Sequence, residues 1–167
     1  MNNKNGNSPD STNFILLQRH GLEYLTAAKI LAGSRANLFK MDHQRPLATL
    51  LGHSLELTFK GLLSIATMSA GEPIPFTHDL DKLASDSNIQ STLALTNDDL
   101  SALVVLNGVF AYPYIARYPK LGLQLFPNPE AFSILLNLAE RLSKVLDSLA
   151  HQQNLDDPIV RKRLGAD

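Results

Sequence analysis

Five polar side chains along one segment hold most of the chemistry that can be read from this chain. In residues 45–69, RPLATLLGHSLELTFKGLLSIATMS, the polar positions His53, Glu56, Lys60, Ser64 and Thr67 recur at spacings of three and four. On a helix that spacing gathers them within about a quarter of the circumference. Glu56 and Lys60 stand four apart with the acid first, the favourable order for a helical ion pair. The rest of the segment is so apolar that the pair is expected to be partly buried and kept more for geometry than for stability. It is either structural or the lining of a groove.

Two further clusters could join that stripe. His78-Asp79-Leu80 opens a short segment in which His78 either helps cap a helix or bonds to Glu56, fixing the short helix against the long one. Arg117-Tyr118-Pro119 follows Tyr112-Pro113-Tyr114, a proline-stiffened aromatic loop. Its guanidinium can clamp a carboxylate or phosphate, and its tyrosines can stack on a base. The competing reading has Arg117 tie its own loop to Glu56 or to a helix end. His20, His43 and His151 read as exposed bystanders. No two histidines have metal-ligand spacing, and there are no cysteines, no HExxH, no GxSxG and no glycine-rich phosphate loop. No metal and no cofactor are expected.

The elements that must position these groups are helices. Residues 45–69 bear Leu47, Leu50, Leu51, Leu55, Leu57, Phe59, Leu62, Leu63 and Ile65 around most of the axis, the pattern of a buried helix. Pro46 suits its first turn. Residues 14–31 line Phe14, Leu17, Gly21, Tyr24, Leu25, Ala28 and Leu31 along one side, with Arg19, Glu23 and Thr26 opposite. Thr77 is the expected N-cap of a short third helix that fades at Ser85-Asp86-Ser87-Asn88. Thr96-Asn97-Asp98-Asp99 reads as a capping box for a fourth, packed through Leu100, Leu103, Val104, Leu106 and Phe110. Residues 130–150 form the last, with a seam of Phe132, Leu135, Ala139, Leu142, Val145, Leu146 and Leu149. Before it lies an irregular stretch broken by Pro119, Gly122, Pro127 and Pro129. No stretch makes a convincing strand.

The fold class that follows is an all-α helical bundle of three long helices, one medium and one short. With 167 residues, a single domain is expected over 13–151, between a disordered lead-in at 1–12 and a polar tail at 152–167. A net charge of −1 argues against a general nucleic-acid binder, which carries a basic excess. No apolar run reaches the length of a membrane span. The first residues, MNNKNGNSPDSTN, lack the apolar core of a signal peptide. The expected setting is soluble and cytoplasmic.

Four motifs in order, LEYLTAAKIL, GHSLELTFKGLL, THDLDKL and YPYIARYP, resemble the HEPN family (higher eukaryotes and prokaryotes nucleotide-binding) over residues 22–149. The resemblance implies an antiparallel helical bundle, commonly a homodimer. It also implies a toxin–antitoxin or other defence setting, with a nucleotidyltransferase or antitoxin as partner and a nucleotide or RNA as ligand. Many members are metal-independent ribonucleases with an arginine and a histidine separated by four to six residues. Here Arg35–His43 and Arg45–His53 are separated by seven, and Arg141–His151 by nine. The expectation is therefore a HEPN-like domain without the ribonuclease motif. It would use His53, Glu56, Lys60, His78, Asp79, Arg117 and Tyr118 as polar core or binding groove. The alternatives are a ribonuclease toxin with an atypical Arg/His pair and a purely structural dimerisation or docking module.

Overall fold

In the computed structural model, the described residues are 12–33, 41–67, 74–111 and 125–156. They form six helices and no strand: α1 (Thr12–Gly33), α2 (Met41–Thr67), α3 (Leu80–Ala84), α4 (Ser87–Thr92), α5 (Asn97–Phe110) and α6 (Pro129–Asp156). The expected all-α architecture holds, with three long helices and one medium, but there are two short helices rather than one.

Helix α2 is the centre, packing on every other helix. Leu47, Leu51, Leu55, Phe59, Leu62 and Leu63 are buried along it. Glycines set its closest approaches. A Cβ on Gly52 would lie 2.1 Å from the Phe110 ring, so glycine is needed for α5 to come this close, while one on Gly61 would lie 2.8 Å from the end of the Leu146 side chain, which would have to turn aside. Gly21 brings α1 close as well, a Cβ there lying 3.0 Å from Thr58 Oγ1; Ser54 Oγ donates to the Gly21 carbonyl at 2.9 Å, and Thr58 Oγ1 donates to the Ser54 carbonyl at 2.8 Å. Helix α2 begins four residues earlier than its proline suggested, so Pro46 is in the second turn. The ring removes the bond that an N–H there would make to the Asp42 carbonyl in the first turn.

Two boundaries differ from the sequence reading for one reason, the side chain that caps the helix. Asp79, not Thr77, is the N-cap of α3. Its backbone is extended and its carboxylate accepts from the Asp81 and Lys82 N–H groups, while Thr77 Oγ1 accepts from the Asp79 N–H one step earlier. Asp86, expected where the helix fades, instead caps a new one, accepting from the Asn88 N–H at 2.9 Å. That short helix, α4, buries Ile89.

The Thr96/Asp99 capping box of α5 is present in both directions. The expected packing face is partly wrong, because Leu100 and Val104 point outward, Val104 at 58% exposure. The stripe that closes on the core is Asp99, Ala102, Leu103, Leu106, Val109 and Phe110, at the three-and-four spacing of a single face. Helix α6 buries Phe132, Leu135, Leu138, Ala139, Leu142 and Leu146. Its first turn is held by Asn128 Oδ1, which accepts from the Ala131 N–H at 2.8 Å, with Pro129 at the first helical position.

Candidate functional site

Glu56 is a carboxylate inside the core, 4% exposed. It sits there because α2 is packed on most sides, so a polar position on it faces a neighbour rather than water. Two nitrogen-bearing side chains converge on it. Lys60 Nζ lies 2.7 Å from Oε1, one turn further along α2, and its side chain is 13% exposed. His78 Nδ1 stands 3.0 Å from both Oε1 and Oε2, across from the segment ahead of α3. A carboxylate only accepts, so Nδ1 carries the shared proton. Of the two readings of His78, capping or a bond to Glu56, the structure forms the bond. It joins residues 22 apart in sequence and fixes residues 74–79 against the central helix.

Asp79 belongs to a different network. Besides capping α3, its Oδ1 accepts from Asn107 Nδ2 at 3.0 Å. The same amide nitrogen donates to Asp81 Oδ2 at 2.8 Å, and Asn107 Oδ1 accepts from the Leu80 N–H at 2.9 Å. One asparagine on α5 thereby latches the start of α3. The sequence reading missed Asn107. A lone asparagine inside a helix gives little local signal, because its partners lie 26 to 28 residues away.

His53, on the same stripe of α2, packs among aromatic rings. Its ring stacks on Tyr24 of α1 with centroids 4.9 Å apart and meets Phe110 of α5 edge-on at 5.1 Å. Arg45, its neighbour in the wide Arg/His spacing, holds its guanidinium 5.8 Å from the Phe126 ring centre. Of the expected bystanders, His20 and His151 are exposed, but His43 is half-buried. Its Nδ1 is enclosed without a hydrogen-bond partner. Arg117 and Tyr118, with Tyr112, Tyr114 and Pro119, lie outside the described residues.

A second buried carboxylate, Asp99, was legible only as half of a capping box. It accepts from the Thr96 N–H at 2.8 Å and from Arg141 Nη2 at 2.6 Å, pinning α5 to α6. Burial pushes its carboxyl up. The Thr96 backbone bond, the Arg141 guanidinium and the Thr96 hydroxyl together outweigh burial and hold it below the usual aspartate range. On the surface, Lys29 pairs with Glu140 at 2.8 Å between α1 and α6, and its hydrogen bond lowers the Glu140 carboxyl.

Two cavities flank these clusters. One, of about 370 Å³, opens between α1, α2 and α6 beside Leu47, Phe132 and Leu136, with Lys29 and Glu140 also lining it. The other, of about 310 Å³, lies beside Phe76, over Leu63 and Leu83. Among the described residues no group of three or more histidines or carboxylates could hold a metal ion. None of the described helices is long and apolar enough to cross a membrane. Compared with protein-family models, curated proteins and solved structures, the chain matches none.

Proposed function

We propose that this chain is a HEPN-like domain that works by binding rather than by cutting, in a defence or toxin–antitoxin setting. Its ligand is a partner protein, of which a nucleotidyltransferase or an antitoxin encoded alongside is the leading class. The observation that carries this reading is the engagement of Lys60 and His78 by one buried carboxylate. With both held on Glu56, His78 positions the 74–79 segment and the Lys60 ammonium is engaged inside the fold instead of facing a phosphate. The order of the four motifs and the all-helical fold support the HEPN likeness, and the missing R-x4–6-H pair supports a non-catalytic role.

Nucleotide or RNA binding is the second reading. It is favoured by the sequence Arg117-Tyr118, in which a guanidinium and an aromatic side chain are neighbours in the chain.

Size-exclusion chromatography with light scattering tests the first reading, using the full chain alone and mixed with the products of its neighbouring genes. A homodimer or a stable mixed complex is the expected outcome. An inert monomer that instead binds nucleotide or RNA, with affinity lost in Lys60→Ala and Arg117→Ala, would transfer the function to the second reading. Cleavage of RNA in the presence of a chelator, lost in His53→Ala or His78→Ala, would overturn the non-catalytic role altogether.

A further inference from the structure

Helix α1 is apolar on two opposite sides. One side carries Phe14, Leu25 and Ala28 into the core. The other stands in water, yet it bears Ile15, Leu16, Leu22 and Ile30, which are 42% to 70% exposed. At the helical repeat, Ile15, Arg19, Leu22, Glu23, Thr26 and Ile30 share about 100° of arc. The Thr26 hydroxyl turns back on its own helix, donating to the Leu22 carbonyl at 2.8 Å, and asks for no outside partner. A lone exposed ring such as Phe76, at 99%, is ordinary; aliphatics aligned over about four turns of one helix are a patch. Helix α6 supplies the control. It packs beside α1 on the same central helix, and its exposed positions from 133 to 148 are Ser133, Asn137, Arg141, Lys144, Asp147 and Ser148, all polar. A place on the surface therefore does not account for the outer face of α1. A helix with aliphatics on opposite sides is suited to packing on both.

The charges on the same arc select what packs there. Arg19 and Glu23 stand one turn apart, both exposed, and bond to each other at 3.2 Å; His20 also reaches Glu23 at 3.1 Å. An exposed pair within one helix is worth little, so exchanging it for the same pair between two copies costs little. A second α1 laid antiparallel, with the two-fold axis passing between Leu22 and Glu23, makes that exchange. Ile15 of each copy then lies level with Ile30 of the other, and the two Leu22 side chains meet at the two-fold. Arg19 of each copy is offset by about 4.5 Å along the helix from Glu23 of the other, within reach of a guanidinium. A parallel copy would instead set Arg19 against Arg19 and Glu23 against Glu23. We propose that the outer face of α1 is an isologous contact through which two copies of this chain pair antiparallel. This does not rest on the partner-binding reading above, which concerns a different gene product. One helix per copy is a small contact, at the low end of the roughly 1,200–2,000 Å² of specific interfaces, so the association is concentration-dependent.

Sedimentation equilibrium of the full chain, from micromolar to submillimolar concentration, is the test. The parent is expected to show a monomer–dimer equilibrium. Leu22→Lys brings two ammonium groups together at the two-fold and should leave a monomer throughout. Arg19→Glu and Glu23→Arg should each raise the dissociation constant about three- to thirtyfold, because each turns two exposed opposite-charge pairs into like charges. All three positions are exposed, so the unfolding midpoints should stay close to the parent's. An equimolar mixture of the two charge variants restores both pairs in the mixed dimer. It should associate about as tightly as the parent, with the mixed species seen by native mass spectrometry. Damage to folding in either variant would not be repaired by mixing. A parent that stays monomeric, a dimer indifferent to Leu22→Lys, or a mixture no tighter than either variant alone would each overturn the proposal. If the parent is monomeric and a neighbouring gene product binds it but not Leu22→Lys, the face belongs to that protein: the pairing is wrong while the partner-binding reading stands.

Discussion

Glu56 and Asp99 are equally withdrawn from water, at 4% exposure each, yet they do different work. Asp99 bonds first to its own helix start, three residues away, and then to one half-exposed arginine. Glu56 bonds to a lysine on its own helix, then to a histidine on a segment with no regular structure. The Asp99 anchor therefore strengthens a helix that its sequence already begins, and staples α5 to α6. The Glu56 anchor decides where the strap before α3 lies. Burial alone does not say what a carboxylate is for; the elements that carry its partners do, an irregular segment for Glu56 and a second long helix for Asp99.

The sharpest way to break this contrast is Glu56→Ala. It leaves Lys60 enclosed and His78 without its carboxylate, and breaking such a buried pair costs about 3–5 kcal/mol. The denaturation midpoint should fall accordingly, with residues 74–79 losing amide protection first. If Glu56→Ala costs no more than Asp99→Ala, the tertiary role assigned to Glu56 fails.

Asn107→Ala comes next. It removes the latch on Leu80, Asp79 and Asp81 and should cost about 1–3 kcal/mol, the range for stranding buried partners. Faster hydrogen exchange at Leu80, with α5 itself unchanged, is the signature that separates a latch from a core residue.

The Asp99 anchor is sharpened by Arg141→Ala, expected to cost about 1 kcal/mol because Thr96 still serves the carboxylate. Its pH dependence has a definite sign. The folded carboxyl titrates below an ordinary aspartate, so its contribution is present in full above about pH 4–5, where an unfolded aspartate is ionised. That contribution is lost as pH falls through the depressed folded value. Asp99→Asn should flatten this acid limb of the stability curve, while Glu140→Gln should leave it nearly unchanged. The smallest effect is expected for Lys29→Ala. Its partner is open to solvent, and exposed pairs add little, so its unfolding midpoint should match the parent within experimental scatter.

Much of the fold and part of the site were legible in the sequence. The three long helices, the inner face of α1 and the capping box of α5 follow from spacing and residue type, while the meeting of His78 with Glu56 was one of two readings of that histidine. Side chains at three-and-four intervals share a face whatever the surroundings. The same logic failed where several faces competed. On α5, Leu100 and Val104 are as apolar as Leu103 and Leu106, and only the packing against α2, α3 and α6 decides which set is covered. It failed again at Asp79 and Asp86, because a run of capping residues offers several starts and the backbone conformation selects one.

The sequence by itself determined that this chain folds into helices around residues 45–67, since periodicity and capping act over a few residues and need no partner. Tertiary structure alone decided that Asn107 latches α3, that Arg141 reaches Asp99, that His53 sits between Tyr24 and Phe110, and that Phe76 stands uncovered. Each of those depends on groups brought together, or left apart, by the packing of helices remote in sequence. No local pattern encodes a distance across the core.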